Sequence, residues 1–318
     1  MADHADDNFD GNVFIYRGGR APQHVTHVFI DESVYDIEAH AFRDCQSLVS
    51  VETHEGIRRI GGAAFYRCIS MRRIDLKSVV EIDAYAFYGC ELESVEFGDR
   101  LETIGNSAFY DCRPLTHLKL PSIVTIGGHA FSSCFRLTDI EFSRRLETIG
   151  SRAFSNCVCL QRIAVPLKRD LFEFDDLHVF KCDRLTTVDL VGGVHKTVAS
   201  LHMESWRTEM IAEINQINQV LPNTLYNEKT EEIQRWMETV LDKMDHYKAE
   251  HFRYVKEGIT LLELALWNAR LDEKEDNYEA EGRAKKAKVD TESARKVKRM
   301  TCGADMVINN VLPFLQLE

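Results

Sequence analysis

Long apolar runs are missing from this chain of 318 residues. None approaches the ~18 residues a membrane span needs. The best, Ile259 to Trp267, is short and interrupted by Glu263. Acceptors for N-glycosylation are also absent, since no Asn-x-Ser/Thr occurs, and the opening Met1-Ala2-Asp3-His4-Ala5-Asp6-Asp7 is acidic where a secretory signal is basic. These absences predict a protein that stays inside the cell, in the cytoplasm, away from membranes. An excess of base is lacking too. Lys and Arg total 39 against 51 Asp and Glu, a net charge of −12, which argues against coating nucleic acid along the whole chain. No G-x-x-x-x-G-K-[ST], H-E-x-x-H or G-x-S-x-G is present, and the 12 His follow no pairing pattern. The sequence therefore offers no catalytic residues, no metal site and no cofactor. With 44% apolar and 28% charged residues, it has the composition of an ordinary globular protein, long enough for about two domains.

What the chain does contain is a repeat. Ala-Phe-x-x-Cys occurs at Ala41-Phe42…Cys45, Ala64-Phe65…Cys68, Ala86-Phe87…Cys90, Ala108-Phe109…Cys112, Ala130-Phe131…Cys134 and Ala153-Phe154…Cys157. A decayed seventh copy, Val179-Phe180-Lys181-Cys182, has lost one spacer residue. The phenylalanines are 23, 22, 22, 22, 23 and 26 residues apart. Three residues after most of the cysteines stands an apolar residue (Leu48, Met71, Leu115, Leu137, Leu160, Leu185), with Leu92 one place early in the third copy. A period-2 alternation follows, as in Leu137-Thr138-Asp139-Ile140-Glu141-Phe142, which puts apolar side chains on one face of a strand. A second apolar segment such as Leu101-Glu102-Thr103-Ile104-Gly105 leads back to the next Ala-Phe, and its glycine suits a bend. Glu38 and Asp83 stand at that position in two copies, so glycine is preferred there and not required. One copy cannot bury its apolar side alone, whereas stacked copies share one continuous core. The expectation is an α/β solenoid: a right-handed coil with a short parallel sheet along one side, followed by an α-helical C-terminal region.

This pattern resembles the BspA-like leucine-rich repeats, with their L-x-x-I-x-L-P … I-G-x-x-A-F-x-x-C consensus, over residues 24–192. The lead-in Pro22–Val34 and the tail Thr301–Leu315 are similar to a large group of such proteins in diatoms. The resemblance implies a leucine-rich repeat scaffold that binds other molecules and does no chemistry of its own. The bacterial relatives are secreted, which the acidic opening of this chain does not match.

Nine cysteines are present, the seven ladder members plus Cys159 and Cys302. Equivalent positions in neighbouring coils face the same way, so the ladder reads as reduced, buried thiols and not as a disulfide framework. Cys157-x-Cys159 is too closely spaced for the usual zinc pair.

Alternation also assigns the outward positions of each strand: Ser50 and Glu52, Arg73 and Asp75, Ser94 and Glu96, His117 and Lys119, Asp139 and Glu141, Arg162 and Ala164, Thr187 and Asp189. Parallel strands ~4.8 Å apart align these in columns. The second column is acidic at Glu52, Asp75, Glu96, Glu141 and Asp189. Like charges at that spacing repel, with Arg73, Lys119 and Arg162 as partial neutralisers. Such a column suggests contact with a basic protein partner; a solvated face that tolerates charge is the plainer reading. Carboxylates on a solenoid also invite a polysaccharide-enzyme reading, with Glu96, Asp139 and Glu141 as acid and base. The absence of outward aromatics and of groove-forming insertions argues against it.

Beyond residue 192 the period becomes helical. Met203, Trp206, Met210, Ile214, Ile217 and Leu221 form one stripe, stopped by Pro222. A second runs Ile233, Met237, Val240, Met244, Tyr247, and a third Phe252, Val255, Ile259, Leu262, Leu266. Such stripes predict helices packed on one another that cover the open end of the solenoid. The domain reading is 1–23 as lead-in and cap, with the strands of the N-terminal cap drawn from Val13–Arg17 and Val25–Ile30. Repeats follow over 24–192, then helices over 193–318. Residues 272–281 hold six acids and one base, and 283–299 hold eight bases and two acids. The basic run resembles a bipartite nuclear-import signal, giving a nuclear adaptor as the alternative reading; the other is a solvated helix face pairing with the acidic run. The tail Met306–Leu317 is apolar enough to pack back on the helices. Partner, pathway and oligomeric state are not written in the sequence.

Overall fold

A computed structural model describes residues 13–172, 178–191 and 204–282. The repeats wind into a parallel β-solenoid of about seven coils. Its outward strands are β1 (Val13–Tyr16), β2 (His27–Ile30), β4 (Ser50–Glu52), β6 (Arg73–Leu76), β8 (Ser94–Phe97), β10 (His117–Lys119), β12 (Asp139–Glu141), β14 (Arg162–Val165) and β15 (Thr187–Leu190). The returning segments form a second sheet of two-residue strands: β3 (Asp36–Ile37), β5 (Arg59–Ile60), β7 (Glu81–Ile82), β9 (Thr103–Ile104), β11 (Thr125–Ile126) and β13 (Thr148–Ile149). Every strand pairing among the described residues is parallel and joins counterparts on adjacent coils, unbroken in the returning sheet from β3 to β13 and interrupted in the outward one. Alternation does what the sequence predicts: on β6, Ile74 and Leu76 are buried while Arg73 and Asp75 are exposed.

The Ala-Phe-x-x-Cys segments form tight turns, and these carry the core. Two residues in each adopt left-handed backbone: Ser107 (φ 55°) and Asp111 (φ 59°) in one coil, His129 (φ 54°) and Ser133 (φ 64°) in the next. Such conformations cost ~1–2 kcal/mol for most residues. Here they turn alternate N–H groups toward the following coil, where Ser107, Phe109 and Asp111 donate to the carbonyls of Gly128, Ala130 and Ser132 at 2.9, 2.7 and 2.9 Å. The phenylalanines stack from Phe42 to Phe180 with ring centroids 4.9–5.6 Å apart. Tyr16 of β1 heads the stack 4.9 Å from Phe42, and its hydroxyl donates to the Gly19 carbonyl at 3.1 Å. Inside the turn each ladder thiol from Cys68 on donates to the phenylalanine carbonyl one coil back, as Cys90 to Phe65 at 2.9 Å and Cys112 to Phe87 at 3.2 Å, while Cys45 donates to the Pro22 carbonyl at 3.6 Å. The decayed seventh copy keeps both roles, since Phe180 stacks on Phe154 and Cys182 donates to the Phe154 carbonyl at 3.0 Å.

The glycine that follows the returning strand has a different reason from the expected bend. A Cβ on Gly105 would lie 2.6 Å from the Ala84 nitrogen, and one on Gly150 would lie 2.4 Å from the Gly128 nitrogen. At Gly105 and Gly150 it is the close approach of the preceding coil, and not left-handed backbone, that leaves no room for a Cβ, whereas Glu38 and Asp83 stand at the equivalent place in other coils.

The described residues fall into two compact units, 13–191 with 208–241, and 204–207 with 242–282. In the first, helices α1 (Glu204–Val220) and α2 (Lys229–Gly282) contribute the segments that close the last coil. The Asn218 amide copies a neighbouring strand: its Oδ1 accepts from Val188 N–H at 2.7 Å and its Nδ2 donates to Val188 O at 3.1 Å. Lys229, only 1% exposed, donates to the carbonyls of Asp183 and Leu185 at 2.8 and 2.5 Å. Burial pulls its ammonium below the ordinary lysine value. The Thr230 hydroxyl accepts from Phe180 N–H at 2.9 Å. Trp236 Nε1 donates to the Glu213 carbonyl at 3.1 Å, tying α2 to α1.

In the second unit, Trp206 stacks on Tyr247 at 4.7 Å. The second predicted stripe is buried throughout, from Ile233 to Tyr247. The third is not: Phe252 is 70% exposed, Ile259 41% and Leu266 57%. It continues α2 instead of starting a helix of its own, and among the described residues no element covers it. Met203, Cys302, the basic run and the apolar tail lie outside the described residues.

Candidate interaction face

The outward columns form largely as the alternation requires. His117, Asp139, Arg162 and Thr187 stand in register across β10, β12, β14 and β15, and Lys119, Glu141, Ala164 and Asp189 stand beside them. Arg73 pairs with Ser94 and Asp75 with Glu96 across β6 and β8. Glu52 on β4 stands opposite Phe29 on β2. Phe29 is 42% exposed, an aromatic in the outward column that the reading from β4 onward missed.

The strand ladder is nevertheless broken into β1-β2-β4, β6-β8 and β10-β12-β14-β15. At the break after β8 the repeat spacing changes. Cys90 is followed by its strand after three intervening residues, where Cys68 and Cys112 have four. β8 enters one residue early and pairs with β6 and not with β10. At the break after β4, the Thr53 hydroxyl donates to the Asp75 carbonyl at 2.9 Å.

The acidic column is less repulsive than its composition suggests. Arg162 lies between two carboxylates, 3.0 Å from Asp139 and 3.1 Å from Asp189. Lys77 holds Asp75 at 3.6 Å and Glu96 at 2.5 Å. Alternation did not find Lys77, which follows the last strand residue, though a base two places after Asp75 was the available signal. Glu52 and Glu141 form no ion pair among the described residues, nor do Arg73 and Lys119. The His117 Nδ1 lies 3.2 Å from the Thr138 hydroxyl. Ala164 does not face solvent as expected; it is 2% exposed.

At one edge of this face, Lys119, Pro121, Glu141, Phe142, Ser143, Arg144, Arg145 and Val191 line a cavity of about 410 Å³. On the turn side, Tyr66, Tyr88 and Tyr110 stack at 4.9 Å, with the Arg43 guanidinium 4.8 Å from the Tyr66 ring. Those rings spend their faces on one another. Among the described residues no group of His, Cys, Asp and Glu is placed to hold a metal, and no helix is long and apolar enough to cross a membrane.

A stacked parallel coil with registered outward columns defines a leucine-rich-repeat solenoid. The chain belongs to the BspA-type leucine-rich repeat family, whose repeat region matches in six copies over residues 21–82, 60–186 and 123–231. Proteins of this family are generally non-enzymatic scaffolds, consistent with protein–protein interaction. The chain is similar to a leucine-rich repeat protein of T. pallidum, with 26% identity over 50% of this chain and 77% of that one and a TM-score of 0.46. It is also similar to one from Bacteroides ovatus, with 26% identity over 58% and 51% and a TM-score of 0.47. No curated protein sequence matches the chain.

Proposed function

We propose that this protein is a non-enzymatic scaffold that engages a protein partner on its outward sheet face, through the carboxylates of the second column. The observation that carries this reading is that Glu52 on β4 and Glu141 on β12, outward carboxylates of the same column, have no ion partner among the described residues, whereas Asp75 and Glu96 are matched by Lys77 and Asp189 by Arg162. Unmatched charge held in fixed geometry favours a complementary basic surface and speeds its encounter. The eight cysteines among the described residues are all unpaired thiols, which supports an intracellular setting.

The test compares capture from the native lysate by the intact chain and by the Glu52→Lys/Glu96→Lys/Glu141→Lys variant. A partner held by the first and lost by the second places binding on this face. Capture that is identical for both moves function elsewhere on the molecule.

A further inference from the structure

The cavity at the edge of the sheet face has the opposite charge from the column beside it. Lys119, Arg144 and Arg145 face a single lining carboxylate, Glu141. Glu102 holds Arg145 at 2.8 Å. Lys119 and Arg144 have no ion partner among the described residues. A fourth cation is close, since Lys168 Nζ donates to the Arg145 carbonyl at 3.4 Å.

The two arginines are mounted on a pinned turn. Ser143, 2% exposed, donates its hydroxyl to the Ile123 carbonyl at 2.5 Å, and its Oγ accepts from Arg145 N–H at 3.0 Å. Leu146 N–H closes the turn on the Ser143 carbonyl at 3.4 Å. Pro121, Phe142 and Val191 supply the apolar part of the wall. Beside such a wall an unmatched cation gains more from an anion than it would in open water. The volume falls within the ~300–1,000 Å³ typical of ligand pockets.

The cations are not a general feature of the repeat. The loops that occupy the same place in the first coils carry Asp31-Glu32 and Glu55, and those of the later coils carry Arg144-Arg145 and Lys168-Arg169. This edge of the solenoid is thus acidic at one end and basic at the other.

We propose that the cavity is a receptor for a compact oxyanion, the carboxylate or phosphate of an acidic side chain presented by a protein partner, with Lys119 and Arg144 as its direct contacts. Only the delivery of the group by a protein rests on the sheet-face reading; the binding of a free oxyanion does not. A partner that offers a basic group to Glu52 and an oxyanion to Lys119 and Arg144 has one orientation along the coil axis.

The experiment titrates the full chain with inorganic phosphate and, separately, with acetate, at ionic strength matched by chloride, and reads heat and thermal midpoint. The expected result is saturable binding of at least one probe, weakened about tenfold or more in Lys119→Gln/Arg144→Gln, as the loss of charge-assisted hydrogen bonds requires. Arg67→Gln/Arg136→Gln, on the turn side, keeps the affinity of the intact chain. Phosphate binding the tighter names a phosphorylated side chain, and acetate a carboxylate. No binding beyond the chloride control, or equal weakening in both variants, overturns the proposal. The lysate comparison repeated with Glu52→Lys alone, which leaves the cavity lining intact, is independent of this outcome, so either reading fails alone.

Discussion

The ladder cysteines show how burial alone fixes chemistry. Burial, with the neighbouring Cys68 thiol, pushes Cys45 up to about 11, and burial raises Cys112 and Cys134 further. A thiol raised in the folded state keeps its proton where the unfolded chain loses it. Below the ordinary value of 9.0 both states are protonated and these groups give stability no pH dependence. Above it the unfolded state is favoured progressively. The thermal midpoint is therefore expected to be flat between about pH 7 and about pH 8.5 and to fall beyond about pH 9. Cys134→Ala should reduce the steepness of that fall; an unchanged slope would count against the ladder as its source. Cys159, which is only half-buried, is expected to alkylate ahead of the ladder thiols in a peptide-resolved iodoacetamide time course.

At the scale of the element, the turn and the strand contribute unequally. Strands of two to four residues make few ladder bonds, so the coils are held by the phenylalanine stack and by the turn hydrogen bonds. Phe109 stacks on Phe87 and Phe131 at 4.9 and 5.1 Å and takes the edge of Phe97 at 5.8 Å. Phe109→Ala is expected to cost ~3–5 kcal/mol in urea unfolding. Much of this was legible in the sequence. Six copies of Ala-Phe-x-x-Cys with the decayed seventh gave coil number and core, and alternation gave the outward columns except at Ala164, because stacking turns period into register. What stayed hidden depends on contacts that no period encodes. Lys77 reaches Glu96 from beyond the alternating segment, and Gly150 answers to a backbone one coil away. The Arg144 pocket needs Lys119 from a different copy. The third helical stripe misled because periodicity reports an apolar face and not the neighbour that covers it.

For the whole molecule, the decisive contacts are at the end. Among the described residues no strand pairs with the far edge of β15, and Asn218 meets that edge with the donor and acceptor of a strand. Exposed parallel edges recruit other chains. Asn218→Val is expected to lower the thermal midpoint and to yield concentration-dependent assemblies by light scattering; a variant that stays dispersed at every concentration would show that Lys229 and Thr230 suffice. The coil-to-coil ladder also has a mechanical meaning. Each thiol, ring and turn amide bonds only to the coil beside it, so tension along the chain loads one interface at a time. The solenoid then behaves as a row of nearly equal latches in series, each releasing roughly 70–80 Å of extended chain as its 22 or 23 residues come free.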